Sequence, residues 1–224
     1  MRRSELNAFL HAAMGTMDGY RFLLPPYARW SLQQWRDDPE RARYCHARQI
    51  GWEVTDFATG RYAECGLLTL CPRNGRAGVS GERPYAEKIM MVGTGQETPW
   101  HCHRKKMEDI IVRGGGDLAI ELAFSADGAH RDDAPVTVRV DEAEVTVAAS
   151  TPLVLKPGSS ILVPQGLYHR FYGTAGTGPV MVGEVSVMND DLTDNFFLGG
   201  LGRPTPTVED EPIRIPMWTD LKGI

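Results

Sequence analysis

The sequence predicts an all-β domain, a sandwich or closed barrel, carrying a helical extension at its N-terminus. Two observations predict it. From about Trp52 onward the chain runs in short apolar stretches separated by Gly, Pro and Asp, as many short strands joined by turns would. Before that point the apolar residues recur at helical spacing instead.

The extension comes first. Residues Glu5 to Met17 place Leu6, Phe9, Leu10 and Met14 on one side of a helix. Pro25-Pro26 then break the chain, and Ser31 can cap a short helix carrying Trp35. The strands follow as "CGLLTLCP", "EKIMMVG", "DLAIELAF", "VTVRV", "EVTVAA", "PLVLKPG", "SILVPQG", "HRFYG" and "VMVGEVSVM". The Pro-rich, acidic tail "GRPTPTVEDEPIRIPMW" is expected to wrap the surface in extended form. No internal repeat and no low-complexity linker divides the chain. The economical division is therefore 1–50 as a helical extension packed on the barrel and 51–224 as the barrel with its tail, one domain overall.

Composition excludes several function classes. With 224 residues, 42% hydrophobic and 24% charged, the chain can bury a core without disulfide staples. A net charge of −5, with no basic cluster beyond Arg104-Lys105-Lys106, argues against nucleic acid. Cys45, Cys65, Cys71 and Cys102 form no C-x-x-C pair and read as reduced thiols of a cytoplasmic protein. The start "MRRSELNAFLHAAMG" makes a poor signal peptide, and no run approaches the roughly 20 apolar residues of a membrane span.

Chemistry concentrates in "PWHCHRKKMEDIIVRGGG", residues Pro99 to Gly116. On a strand His101 and His103 face the same way, and two such imidazoles suit Mn²⁺, Fe²⁺, Zn²⁺ or Ni²⁺. Glu108, past a bend, can return a carboxylate to that metal. His169, on a strand entered through a Pro-x-Gly turn, can supply a fourth ligand. An isolated H-x-H would more often be an exposed strand face. Here the wider spacing is fixed: Gly95, five residues, His101-x-His103, four residues, Glu108, six residues, Gly115. A second block has Gly158, five residues, Pro164-x-Gly166, two residues, His169.

These blocks resemble the two signatures of the cupin superfamily, departing only where Gly173 replaces the usual Asn. The resemblance implies a cupin jelly-roll β-barrel with a metal in its mouth. A finer likeness lies in "YAEKIMMV", H-x-H-x-x-K-M-E-D-I-I-x-R-G-G-G and G-E-V-S-x-x-N-D-D-x-T-D-N, with "PPYARWS" and the late "GRP…EDE". Together these resemble the D-lyxose isomerase family and, more distantly, L-ribose isomerase. That likeness implies a manganese-dependent aldose–ketose isomerase acting on a free sugar, a homodimer or larger. D-lyxose to D-xylulose is the first reaction implied; D-mannose to D-fructose and L-ribose to L-ribulose are alternatives. Zn²⁺, Fe²⁺, Co²⁺ or Ni²⁺ could take the place of Mn²⁺ in a crystal.

The residues support that chemistry on their own terms. Moving a proton between C1 and C2 needs a charge that acidifies the carbon and a carboxylate that carries the proton. Glu184 is the candidate base, on an apolar strand where a solvated Glu would be unusual. Period-2 counting puts Val182, Glu184 and Ser186 on one face, the interior if the resemblance holds. Glu108 is a ligand and a second possible acid/base. Lys106 either polarises a sugar oxygen or is a solvated rim charge like Arg104 and Lys105. Arg113 can hold a sugar hydroxyl or make a structural pair, Lys88 can face the pocket or an exposed edge, and Trp100 can line a sugar face or pack in the core. Two other classes fit three His and one Glu: a cupin dioxygenase or decarboxylase, and a non-catalytic sugar-binding cupin. The segment "NFFLGGLGR", Asn195 to Arg203, departs from the family pattern and bears on which sugar is preferred.

Overall fold

The computed structural model describes residues 1–76, 78–202 and 205–224. Arg203 and Pro204, which end the "NFFLGGLGR" segment and open the tail, lie outside the described residues. The N-terminal helix α1 (Arg3–Gly19) runs two residues beyond its predicted span at each end. It buries Leu6, Leu10, Ala13, Met14 and Met17, the stripe that 3.6-residue spacing creates. Ser31 caps α2 (Leu32–Asp37), accepting from the Gln34 amide, and Trp35 is buried as expected. A further helix, α3 (Pro39–His46), was not anticipated. Its signals are an Asp38 cap accepting from the Arg41 amide and a proline at the first helical position.

Strands β1 (Gly51–Thr55), β2 (Leu67–Arg73), β3 (Tyr85–Val92), β4 (Glu97–Cys102), β5 (Glu108–Gly115), β6 (Leu118–Ala123) and β7 (Val136–Val140) follow. The set continues with β8 (Ala143–Val147), β9 (Leu153–Leu155), β10 (Ser160–Val163), β11 (Tyr168–Gly173), β12 (Val180–Val187) and β13 (Phe196–Phe197). They form two antiparallel sheets, ordered β1-β2-β3-β12-β5-β10-β7-β8 and β13-β4-β11-β6-β9. Each expected apolar run is one of these strands. The short β13 was not expected; it pairs Phe197 with His101 and Phe196 with Cys102.

The sheets face each other over one core. Met90, Val112, Ile161 and Val182 come from the larger sheet; Leu118, Ile120 and Phe171 come from the smaller. A second cluster lies outside the larger sheet, where α1 covers Trp52, Leu70, Ile89 and Met181. Strand parity divides β12 between the two: Val182 faces the inner core and Met181 faces the helix. The tail is strapped to α1. The buried Arg3 guanidinium meets Glu209 at 2.7 Å and Asp220 at 2.8 Å, and the Asn7 amide donates to the Pro212 carbonyl. Among the described residues no helix is long and apolar enough to cross a membrane.

Candidate metal centre and active site

Pro99 has no amide to give to the ladder, and β4 carries one extra residue there. His169 pairs with His101 but Phe171 pairs with Thr98, a β-bulge. Past the bulge, the His101 imidazole turns back so that its Nδ1 lies 2.8 Å from the Pro99 carbonyl. His103 follows the strand end, with Nδ1 2.9 Å from the Asp194 carbonyl, and His169 Nδ1 lies 3.2 Å from the Leu167 carbonyl. A carbonyl only accepts, so each ring donates through Nδ1 and keeps an Nε2 lone pair. Gly166, at φ 77°, makes the turn that delivers His169 to β11, a conformation costly to any residue with a Cβ.

The three rings converge. Their ligand atoms lie within 4.8 Å of one another, and His169 Nε2 is buried without a hydrogen-bond partner. Glu108 Oε1, from the opposite sheet, stands 3.1 Å from His169 Nε2 and 3.5 Å from His103 Nε2. Three imidazole nitrogens and a carboxylate oxygen form a donor set that suits a divalent first-row metal. An orphaned buried nitrogen aimed into that set is what such an ion would satisfy.

The charged residues beside it are as deeply buried. Lys106 is 3% exposed; it is not a rim charge, whereas its neighbours Arg104 and Lys105 are exposed. Its Nζ lies 2.6 Å from Glu108 Oε2 and 2.8 Å from Glu184 Oε1. The first contact lacks the direction of a hydrogen bond and acts as an ion pair; the second is a hydrogen bond. Glu184, on β12 and 4% exposed, also receives the Ser186 hydroxyl at 3.0 Å. Lys88 Nζ on β3 is 3.8 Å from Glu184 Oε2 and donates to Asn189 at 2.6 Å and Asp191 at 2.9 Å. Pairing explains why these charges tolerate burial.

Electrostatics follow from this packing. Burial alone would push the Glu108 carboxyl up, but Lys106 and His103 reverse that and hold it well below the usual carboxylate range. Burial would lower the Lys106 ammonium; Glu108 and Glu184 raise it above its ordinary value instead. Burial, then the neighbouring His169 and His103 rings, lower His101 well below 6.5. Burial and the Lys106 cation lower His103. Neutral imidazoles beside an ionised carboxylate are the states that coordinate a metal.

Two expected substrate contacts lie elsewhere. Arg113 is exposed on the outer face of β5, its Nε passing over Gly183, because the inward residues of that strand are Glu108, Ile110 and Val112. Trp100 points out of the smaller sheet, where Arg131 and Arg170 lie 4.9 and 5.8 Å from its ring. The structure also gathers residues to which no role was assigned from the sequence. Phe197 packs 5.6 Å from the His101 ring. Ser186, Asn189, Asp191 and Asp194 are all buried around the lysines. Ser186 is signalled by period-2 counting alone, and Asn189, Asp191 and Asp194 by the acidic run "NDD-x-TDN" after the Glu184 strand.

Comparison with known proteins completes the picture. The family model described as D-lyxose isomerase matches residues 1–221. The chain belongs to the D-lyxose isomerase family. It is 40% identical to a D-lyxose/D-mannose isomerase of Escherichia coli O157:H7, over 99% of each chain. It is also 40% identical to a protein of that name from Serratia proteamaculans, over 97% of this chain and 95% of the relative. A crystal structure of Cellulomonas parahominis L-ribose isomerase with L-psicose shares the fold, with a TM-score of 0.63 over 93% of this chain and 98% of that one, at 18% identity. As a member of the D-lyxose isomerase family, the chain is an enzyme of the aldose–ketose isomerase type.

Proposed function

We propose that this enzyme interconverts a free aldose and its ketose by proton transfer between C1 and C2, with D-lyxose the first substrate and D-mannose and L-ribose as alternatives. The observation that carries the reading is the Lys106–Glu184 pair, buried against the three-histidine cluster. The names of the 40% identical relatives support D-lyxose and D-mannose among these sugars.

His101, His103, His169 and Glu108 would hold a divalent metal, for which manganese is our reading; when bound, it supplies positive charge that acidifies the carbon beside the sugar carbonyl. Glu184 takes the proton from one carbon and returns it to the other. Lys106 and the Ser186 hydroxyl bond Oε1, leaving Oε2 to receive the proton. The Lys106 ammonium also places a donor where oxyanion charge develops. Lys88 supports the same carboxylate from the other side. Phe197 walls off His101, and the burial of the whole cluster keeps competing water out. A homodimer and a cytoplasmic setting belong to the same reading, and light scattering on the purified protein tests the first.

The deciding experiment is anaerobic incubation of metal-stripped, Mn²⁺-reconstituted protein with D-lyxose, D-mannose and L-ribose in D₂O, followed by NMR. Ketose formation from one of them, lost in Glu184→Gln, is the expected result. Metal-loaded protein that converts none of the three would refute the proposal.

A further inference from the structure

The segment that follows β12 reaches the metal side of the site at Asp194, ahead of the β13 pairing of Phe197 with His101. Asp194 is 3% exposed and uses both of its acceptor groups there. Its backbone carbonyl accepts from His103 Nδ1 at 2.9 Å. Its carboxylate accepts three successive amides: Arg104 at 3.0 Å, Lys105 at 3.0 and 3.2 Å, and Lys106 at 3.0 Å. Those amides belong to the turn between the His103 ligand and Glu108. The turn also sets where the Lys106 side chain starts. A buried carboxylate cradled by consecutive amides is a fixed, water-excluded interaction.

The same segment begins at the base. Along it come Glu184, Ser186, Asn189 and Asp191, the last two holding Lys88, and then Asp194. Asp194 is anchored in turn by its own amide, which donates to the Asp190 carbonyl at 3.0 Å. Asn74 holds the start of the loop: its side chain donates to the Asn189 carbonyl and accepts from the Asn189 amide. One stretch of chain therefore carries the base at one end and clamps a metal ligand at the other.

We propose that Asp194 is a positioning residue that fixes the His103 ring and the Lys106 ammonium in register, so that metal holding and proton transfer depend on one clamp. The inference rests on the metal reading above and assigns Asp194 a role that motif spacing did not. Its carboxylate touches no reacting atom. Its effect is transmitted through His103 and Lys106.

Co²⁺ serves as the probe, because its visible absorption reports the geometry of its ligands independently of any sugar. Asp194→Ala should weaken Co²⁺ binding by calorimetry about 10- to 100-fold and alter the Co²⁺ band. In turnover, kcat should fall far more than KM changes. Asp194→Asn keeps one side-chain acceptor oxygen where Ala has none, so it should fall between wild type and Ala, and it decides the question if the Ala variant does not fold. Thr193→Ala, one residue away, should leave affinity and band unchanged. A folded Asp194→Ala or Asp194→Asn with wild-type Co²⁺ affinity and spectrum overturns the inference while leaving the isomerase standing. A wild-type protein that binds no Co²⁺ overturns the metal reading and this clamp together.

Discussion

Lys106 Nζ lies 2.8 Å from Glu184 Oε1, with both side chains almost wholly buried. The lysine descends from the turn after β4 and the glutamate from the middle of β12, 78 residues away. The pair joins the metal cluster to the proton carrier, since the same ammonium meets Glu108.

Removing either partner should have different consequences. Lys106→Met leaves two carboxylates buried without their shared cation and should cost about 3–5 kcal/mol of stability. Glu184→Gln keeps the shape and a hydrogen-bond acceptor and should fold normally. It should lose about 10²–10⁴ in kcat, the usual contribution of a positioned acid or base. Thermal unfolding and the NMR assay together separate the two effects. A Glu184→Gln enzyme with wild-type turnover would remove the carboxylate from the chemistry.

Arg113 and Trp100 serve as contrasts. Both side chains lie outside the sheets, away from the cluster. Arg113→Ala and Trp100→Ala should therefore leave kcat/KM near wild type under conditions where Lys106→Met abolishes turnover. A large loss of kcat in either would mean that the outer faces contribute to the site.

The metal-free protein should lose stability on acidification below neutrality. His101 and His103 are held below their ordinary value of 6.5, so the unfolded chain takes up protons first as pH falls and stability drops below about pH 6.5. Glu108, held below its ordinary 4.5, adds a second loss that begins near that pH and continues through its lowered folded value. Melting temperatures measured from pH 8 to 4 should therefore fall monotonically below pH 6.5. A flat profile would mean that these groups are not buried as neutral imidazoles and an ionised carboxylate.

Gly173→Asn would restore the residue that the cupin pattern usually carries, yet it should destabilise. A Cβ on Gly173 would stand 2.5 Å from the Gly93 carbonyl oxygen, in backbone that cannot rotate aside. That strand end also receives the Gly95 amide at 2.8 Å, which fixes the approach. The expected cost is about 1–3 kcal/mol, read by urea unfolding. An unchanged midpoint would show that the two strands can part at no cost.

Arg3→Met should loosen the tail. Arg3 is 1% exposed, while its partner Glu209 is more than half exposed and partly screened, so the loss is about 2 kcal/mol rather than the full cost of a buried pair. Limited proteolysis should then cut the tail faster than in wild type. Equal cleavage rates would mean that Asn7 and the apolar contacts hold the tail without the arginine.

The local parts of this molecule were legible in one dimension. The α1 stripe, the Ser31 cap and the inward face of Val182, Glu184 and Ser186 depend on periods of 3.6 and 2, which a sequence displays directly. The resemblance to the two cupin signatures picked out His101, His103, Glu108 and His169 as one group; of that geometry only the shared face of the H-x-H pair is short-range. Period counting, carried through, also sets Trp100 opposite His101, and Arg113 opposite Glu108, Ile110 and Val112, so both fall on outer faces. It could not reach Lys106 or Asp194, which lie outside the strands and are placed by contacts across the fold.

What the sequence determined by itself was the set of elements and the identity of the cluster: a β domain, three histidines, and acidic residues on inward strand positions. Only the tertiary structure decided which charges meet. Lys106 could have been a rim lysine like Lys105, and Asp194 an ordinary loop acid. Each is fixed by partners far away in the chain, through ion pairs and hydrogen bonds whose strength depends on exclusion from water. That exclusion is created when the two sheets close over one core, a property that no stretch of sequence carries alone.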